Sequence, residues 1–439
     1  MYRDQNSLRP QIEQLSGRRG RVSRLILAVV AAVLLAAAGC GDGDATTTDS
    51  SSLATLATVT PTHESDLSST TTPNGAAESS STLVDAGDRA ATSVPRHSGD
   101  TTATTGRADD ASSTTPQKGE THEPATRPTG VSEGCGTPSE HGVIDLTNDQ
   151  SGRQRQARLY VPRSYDASQP APLLINLHGL MGFPSQQAAW SGFETMAETE
   201  GFLTVAPQGT GLIPLWNAIG YPAAADDVAF LDQLIDDIES NWCVDTDNVF
   251  VAGISNGGLM ATYLACQDPG RFAAIAVVSG VRFDASCSTS PGVDLLVIYG
   301  TADSILPITG GLGPAIQGLI ATQPLVEGVP LDEQQQVLEE TTAQDVSTTI
   351  DDFAQLDRCT GPDESIVGVN DIILHSVYQC ERGRLESYII EGGGHTWPGT
   401  ELKLGDNLQI DAEQFLGYTT LELPASEIIW DFFSESMST

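Results

Sequence analysis

The folded part of this 439-residue chain is predicted to be an α/β domain with a mostly parallel, doubly wound sheet. Near-continuous apolar runs are typical of strands that are buried on both faces of such a sheet. Amphipathic helical patterns separate these runs, and the alternation of strand and helix indicates this fold class. An antiparallel edge is expected from residues 142–146 and 155–162. The predicted buried strands are PLLINL (172–177), FLTVAP (202–207), NVFVAG (248–253), FAAIAVVSG (272–280) and DLLVIYG (294–300).

The N-terminus has the pattern of an export signal. A basic region closes with RVSR (21–24), and an uncharged apolar run (25–39) follows, which at fifteen residues is shorter than the roughly 20 that span a membrane. The string AAGC (37–40) resembles a bacterial lipobox, which implies cleavage before Cys40 and a lipid on its thiol. The alternative is ordinary signal cleavage without a lipid. We therefore predict a lipoprotein signal peptide (1–39) and an extracellular protein anchored to the bacterial cell surface.

Residues 40–133 are predicted to be a disordered tether rich in Ser, Thr and Asp. Strings such as SSTTTPNGAAESSST (68–82) contain too few large apolar side chains to offset the entropy of ordering. A flexible coil of this length has an end-to-end distance of roughly 50–60 Å. The tether would hold the remaining domain (134–439) away from the membrane without fixing its orientation.

The formal charge of −37 excludes the chain in practice from the nucleic-acid binders, because phosphate contacts need a basic surface. The same charge disfavours adsorption of the domain to anionic lipid. Membrane contact is therefore predicted only through the lipid on Cys40. No cysteine pair has the CxxC spacing of a structural zinc site, so we predict neither a metal nor a cofactor.

Six of the seven cysteines fall in the predicted domain, which in an exported protein indicates up to three disulfides. The expected lengths of the central strand and the following helix bring Cys243 and Cys266 to the same end of the sheet. Cys359 and Cys380 flank a short excursion, and the third pair follows by elimination. The alternative is that some are free buried thiols. The predicted pairs are Cys243–Cys266, Cys359–Cys380 and Cys135–Cys287.

The most informative stretch is GISNGG (253–258), which lies between a predicted strand and a predicted helix. In this context the G-x-S-x-G pattern predicts a nucleophile elbow, a strained turn that pushes the hydroxyl of Ser255 out of the sheet. Gly253 and Gly257 have no side chains, so strand and helix can approach closely. The helix N-terminus directs N–H groups toward the hydroxyl. The alternative is a glycine-rich packing turn with an incidental serine.

A serine needs a base, and in this pattern the acid and then the histidine follow the serine along the chain. Only His375 and His395 follow Ser255. His375 lies in an alternating stretch and is expected to be a strand side chain. His395 follows a strand and three glycines, in a loop that can bring its imidazole to the serine, and is the predicted base.

Asp303 is the predicted acid, because it lies three residues past the strand that ends at Gly300. It would fix the tautomer of the imidazole. Its alternative role is that of an ordinary turn aspartate. Weaker candidates lie in a long polar insertion, and they are Asp332, Asp345, Asp351 and Asp352.

Two backbone N–H groups are expected to form an oxyanion hole. One belongs to Asn256, directly after the serine. The other is assigned to Leu180 in NLHGLMG (176–182), where His178 and Gly179 are expected to support the loop.

The strings LHG, GISNGG, YGTAD, GGGHTWPG and ASEIIWDFF occur in this order and resemble the secreted polyhydroxybutyrate depolymerase and feruloyl esterase family of α/β hydrolases. The resemblance spans nearly all of residues 135–437. It implies the α/β-hydrolase fold and an ester hydrolase that forms an acyl-enzyme at Ser255. Residues 304–345 are longer than the usual connection in the family, so the resemblance does not predict the lid or the substrate pocket.

The leading hypothesis is a serine esterase that acts on a small-molecule or polymeric feruloyl, acetyl or hydroxyalkanoate ester. The alternatives are a serine peptidase on the same fold and a cell-surface binding protein with a vestigial site. The complete set of serine, acid and histidine in the expected order argues against the binding protein.

Overall fold

The computed structural model describes residues 130–437, except 151, 285–286, 288–291, 327–328, 343 and 402–412. The predicted signal peptide, the lipid site at Cys40 and the tether up to residue 129 lie outside the described residues. None of the helices within the described part is both long and apolar enough to cross a membrane.

Ten strands in the described residues form one sheet in the order β1-β2-β4-β3-β5-β6-β7-β10-β9-β8. The central six strands pair in parallel, in the spatial order β4-β3-β5-β6-β7-β10. The outer strands at both edges pair antiparallel. The predicted mostly parallel sheet is therefore confirmed. From β1 to β10 the strands span Gly142–Gln150, Arg153–Val161, Ala171–Leu177, Leu203–Pro207, Val244–Ile254, Ala274–Val278, Asp294–Gly300, Thr360–Val367, Ile373–Gln379 and Leu385–Ile390.

Helices cover both faces of this sheet. The third helix starts at a capping aspartate, because the side chain of Asp226 accepts the N–H of Ala229. In chain order, α1 to α9 span Pro184–Ser191, Phe193–Glu200, Asp227–Asn241, Asn256–Gln267, Pro314–Ile320, Leu331–Thr342, Val346–Leu356, Glu413–Leu416 and Ala425–Ser436.

The central strand β5 shows how the two layers form. Val249 and Val251 face a core shared with α3 and α4, while Phe250 and Ala252 face a second core shared with α2 and α9. Phe250 stacks on Phe433 of α9, with ring centroids 4.7 Å apart. Burial on both faces explains the near-continuous apolar runs and makes the sheet a rigid platform.

The connection between β7 and β8 holds α5, α6 and α7. The amide of Gln334 on α6 accepts the N–H groups of Leu325 and Val326 and donates to the carbonyls of Val326 and Val329. These bonds are made by a side chain that is only 5% exposed, so they fix α6 to the loop before it.

Two predicted disulfides are wrong and the third is confirmed. The structure pairs Cys135 with Cys243 and Cys266 with Cys287, in place of Cys243–Cys266 and Cys135–Cys287. The Cys359–Cys380 bridge forms as predicted.

The segment before β1 explains the different pairing. The N–H of Ser132 donates to the carbonyl of Val244 at 3.0 Å, and that of Gly134 donates to Glu239 at 2.8 Å. These bonds lay the segment across the start of β5 and bring Cys135 to Cys243. Element lengths predicted how far along the sheet a cysteine lies, but they carry no information about which segment passes beside it.

Candidate active site

Ser255 ends the central strand β5 and starts α4 in a strained conformation. Its φ of 58° and ψ of −124° are unfavourable for a residue with a side chain. A Cβ on Gly257 would lie 2.4 Å from the carbonyl oxygen of Leu177, and one on Gly253 would lie 2.5 Å from the carbonyl carbon of Gly257. Glycine at both positions therefore permits the close approach of strand and helix that holds the serine in this turn.

Asp303 and His395 are in direct contact. His395 Nδ1 lies 2.7 Å from Asp303 Oδ2, and both residues are buried. The other carboxylate oxygen accepts the N–H groups of Ile305 and Leu306 at 2.8 and 2.9 Å. A carboxylate only accepts, so the imidazole carries its hydrogen on Nδ1 and keeps the lone pair of Nε2 for a proton from another group.

The loop that carries His395 is fixed by glycine contacts on its N-terminal side. A Cβ on Gly300 would lie 2.2 Å from the carbonyl oxygen of Gly393, which also accepts the N–H of Ala302 at 2.8 Å. The N–H of His395 itself donates to the carbonyl of Leu416 at 2.5 Å. The glycine run therefore lets the end of β10 pack directly against the end of β7.

Trp397 anchors the other side of this loop. Its side chain is fully buried, its ring meets Phe193 edge-on at 5.9 Å, and its Nε1 donates to Ser426 Oγ at 2.9 Å. This tryptophan belongs to the GGGHTWPG string, and its role is to tie the histidine loop to α2 and α9.

The three side chains of the predicted triad follow the C-terminal ends of β5, β7 and β10. These strands belong to one parallel array, so their carboxyl ends lie along the same edge of the sheet. His375 lies in β9 instead, where its Nε2 is 3.0 Å from Glu386 Oε2 and its ring stacks on Tyr388. Asp345, one of the weaker acid candidates, caps α7 by accepting the N–H of Thr348.

The loop after β3 lies over the serine. A Cβ on Gly179 would be 3.2 Å from the Cβ of Ser255 and 3.7 Å from its Oγ, so glycine leaves room above the hydroxyl. Within residues 178–182, the N–H of Met181 donates to the carbonyl of Pro214, and that of Gly182 donates to the carbonyl of Gly179. These bonds fold the loop into a tight turn that carries Leu180.

The imidazole of His178 supports this turn through two hydrogen bonds. Its Nδ1 donates to the carbonyl of Gly179 at 2.7 Å, and its Nε2 accepts the N–H of Gly209 at 2.9 Å. Burial lowers the pKa of His178 to about 4, so the imidazole is neutral at physiological pH and matches this pattern of one donor and one acceptor. Its position supports the loop and does not make it a base.

A contact that the sequence did not predict joins the serine turn to the loop 208–225. The side chain of Asn256 accepts the N–H of Trp216 at 2.7 Å and donates to its carbonyl at 3.1 Å. The indole of Trp216 donates to the carbonyl of His178 at 2.9 Å. A peptide-like pair between residues 40 positions apart has no local sequence signal, because the loop around Trp216 shows no periodic pattern.

A buried ion pair also holds this loop. Arg155 of β2 donates to Asp227 at 2.7 Å, with side-chain exposures of 2% and 0%. The second oxygen of Asp227 accepts the N–H of Asn217 at 2.7 Å, and the guanidinium also reaches the carbonyl of Gln208 at 3.2 Å. The pair therefore fixes the start of this loop at Gln208 and the residue that follows Trp216.

The arrangement has the parts that acyl transfer needs: a hydroxyl in a strained turn, an oriented imidazole, and N–H groups at a helix N-terminus. Among the described residues, no group of three or more His, Cys, Asp or Glu side chains could hold a metal ion.

Residues 156–311 match the family model described as Esterase PHB depolymerase. The chain is 33% identical over 192 residues to a probable feruloyl esterase C from Aspergillus clavatus, a match that covers 42% of this chain and 66% of the relative. It is 31% identical over 165 residues to a bifunctional acetylxylan esterase/xylanase from Neocallimastix patriciarum, covering 37% of this chain and 23% of the relative.

The matched regions therefore span less than two thirds of the length of these relatives. Among solved structures, an acetyl xylan esterase from Aspergillus awamori superposes with a TM-score of 0.40 at 16% identity. That superposition covers 58% of this chain and 94% of the other.

Proposed function

We propose that this chain belongs to the polyhydroxybutyrate depolymerase and feruloyl esterase family and is an exported serine esterase that hydrolyses carboxylic esters. The family resemblance predicted from the sequence is confirmed by the family match and by the esterase relatives. The names of those relatives point to feruloyl and acetyl esters as substrate classes, and hydroxyalkanoate esters stay a further candidate.

The observation that carries this proposal is the buried contact of 2.7 Å between His395 Nδ1 and Asp303 Oδ2, beyond the same sheet edge as Ser255. This contact orients the imidazole and stabilises the positive charge that develops when it takes a proton. An incidental serine in a packing turn would not require such a pair.

The proposed reaction has two halves. His395 Nε2 takes the proton of Ser255 as Oγ attacks the ester carbonyl, and the N–H groups of Asn256 and Leu180 stabilise the oxyanion. The tetrahedral intermediate then collapses, and the imidazolium gives its proton to the departing alcohol, leaving an acyl-enzyme. Water attacks the acyl-enzyme in the same way, which releases the acid and restores the serine.

Substitution of the nucleophile tests this proposal. Ser255→Ala and His395→Ala are expected to lower kcat on p-nitrophenyl acetate by at least about 10³-fold, with folding retained. His375→Ala is the matched control, because its ring lies in β9 and contacts Glu386 and Tyr388. Activity of Ser255→Ala near the wild-type level would refute the assignment. A peptide panel run in parallel separates an esterase from a peptidase.

We also propose that the protein is held at the bacterial cell surface by a lipid on Cys40. The support is the lipobox-like string AAGC and the six paired cysteines of the domain, which are typical of an oxidising compartment. Expressed in a bacterium that processes lipoproteins, the wild type should partition into the detergent phase and Cys40→Ser into the aqueous phase. Equal partition of both proteins would refute the anchor.

A further inference from the structure

A cavity of about 600 Å³ lies beside the candidate active site. One wall is a single face of α6, formed by residues at the spacing i, i+3, i+4 and i+7: Gln334, Val337, Leu338 and Thr341. The opposite walls come from the loop 208–225 and from the first turn of α4. The lining combines apolar side chains with polar ones, among them Arg153, Gln154, Arg155 and Gln156 of β2.

The cavity is lined by two residues that follow the nucleophile in the chain. Asn256 and Leu259, the first and fourth residues after Ser255, both line it. Trp216, which Asn256 holds through two hydrogen bonds, forms a further part of the wall. The cavity therefore reaches the proposed oxyanion donor Asn256, while Ser255 itself is not among its lining residues.

The histidine lies on a different side. Of residues 391–420, none that the structure describes lines the cavity. In ester hydrolysis the oxygen of the departing alcohol must reach Nε2 of His395 to receive its proton, while the carbonyl oxygen points to the N–H groups. The acyl substituent then extends away from the histidine, toward the side of Asn256 where this cavity lies.

We propose that this cavity binds the acyl group of the ester, and that the face of α6 around Val337 sets which acyl groups fit. This inference rests on the proposed esterase function and goes beyond it by naming the acyl class. A volume of about 600 Å³ lies in the range of sites for drug-sized ligands and far exceeds the needs of a two-carbon acetyl group.

The lining also selects the chemistry of the acyl group. Leu215, Trp216, Leu259, Val337 and Leu338 present apolar surface, whereas the amide of Gln334 already bonds with backbone groups of the preceding loop. Removal of apolar surface from water favours binding roughly in proportion to its area. The expected acyl group is therefore larger than acetyl, with an apolar portion that contacts this surface.

The test compares kcat/KM for p-nitrophenyl octanoate and p-nitrophenyl acetate. Val337→Trp places an indole in the cavity, and the octanoate-to-acetate ratio is expected to fall about tenfold or more. Gln336→Trp is the matched control, because this exposed residue lies on α6 outside the lining face and bonds with Glu340. Its ratio should stay within about twofold of the wild type.

A second variant and a second measurement keep the inference falsifiable if Val337→Trp folds poorly. Val337→Ala enlarges the cavity and should raise kcat/KM for p-nitrophenyl dodecanoate relative to octanoate. Calorimetry of octanoate with Ser255→Ala should show binding that Ser255→Ala/Val337→Trp weakens about tenfold.

The outcomes separate this inference from the proposed function. A wild type that hydrolyses both esters, with a ratio unchanged in both Val337 variants, overturns the acyl cavity and leaves the esterase standing. A wild type that hydrolyses neither ester overturns the esterase. Octanoate binding that does not respond to Val337→Trp overturns the cavity assignment directly.

Discussion

His395 and Asp303 are 92 residues apart in the chain, yet Nδ1 of the imidazole lies 2.7 Å from Oδ2 of the carboxylate. The pairing of β7 with β10 makes this contact possible, because it brings Gly300 opposite Ile390 at the strand ends. The aspartate is held by two backbone N–H groups and the histidine loop by the buried Trp397, so both partners are fixed before substrate binds.

Asp303→Asn is expected to lower kcat by about 10²–10⁴-fold with a smaller change in KM, because an amide can offer an N–H to the imidazole and favour the wrong tautomer. Steady-state kinetics on p-nitrophenyl esters measures this. Asp345→Asn is the control, since that side chain caps α7 and asparagine is an equally good N-cap, so kcat should be unchanged. A reversed outcome, with Asp345 essential and Asp303 dispensable, would move the acid into the insertion.

His178→Ala is expected to lower kcat by about tenfold to a hundredfold, because the turn that carries Gly179 and Leu180 loses its internal support. The change in KM should be smaller, since the effect falls on stabilisation of the oxyanion. His141→Ala is the control, because His141 is exposed and contacts the carbonyl of Pro162. If kcat survives the loss of His178, the turn does not depend on this imidazole.

The environment of Asp357 is expected to make the folded protein less stable as the pH rises. Burial raises the pKa of this carboxyl to about 6, with Arg382 opposing the shift and Asp294 adding to it. The folded state therefore binds more protons than the unfolded state between about pH 4 and pH 6, so this group's contribution to stability falls as the pH rises through that window.

Asp357→Asn should remove that loss. The variant is expected to be more stable than the wild type at pH 7 by about 1–3 kcal/mol, with the difference shrinking toward pH 4. Urea unfolding of both proteins at several pH values measures the free energy of unfolding. A difference that is constant across pH would show that the pKa of this carboxyl is the same in the folded and the unfolded state.

Peptide mapping without reduction should recover Cys135 linked to Cys243 and Cys266 linked to Cys287. The expected reason is the set of hydrogen bonds that lays residues 132–134 against α3 and the start of β5. Recovery of a Cys243–Cys266 peptide would instead restore the simpler prediction from element lengths.

The elements that the sequence predicted well are those whose signal is local. The apolar runs that became β3 to β7 are continuous because both faces of each strand are buried, and that requirement is written into consecutive residues. The turn at Ser255 is equally local, since glycines at 253 and 257 are needed for one close approach. The order of serine, acid and histidine then left few choices for Asp303 and His395.

The sequence by itself thus determined the fold class, the turn at Ser255 and the short list of partners for it. The tertiary structure decided which distant segments meet. Cys135 pairs with Cys243, Asn256 bonds with Trp216, and α6 lines the same cavity as the loop 208–225. The physical reason is that periodicity and backbone conformation depend on neighbours in the chain. A contact between loops depends instead on how the packed elements direct them, which no single stretch of sequence encodes.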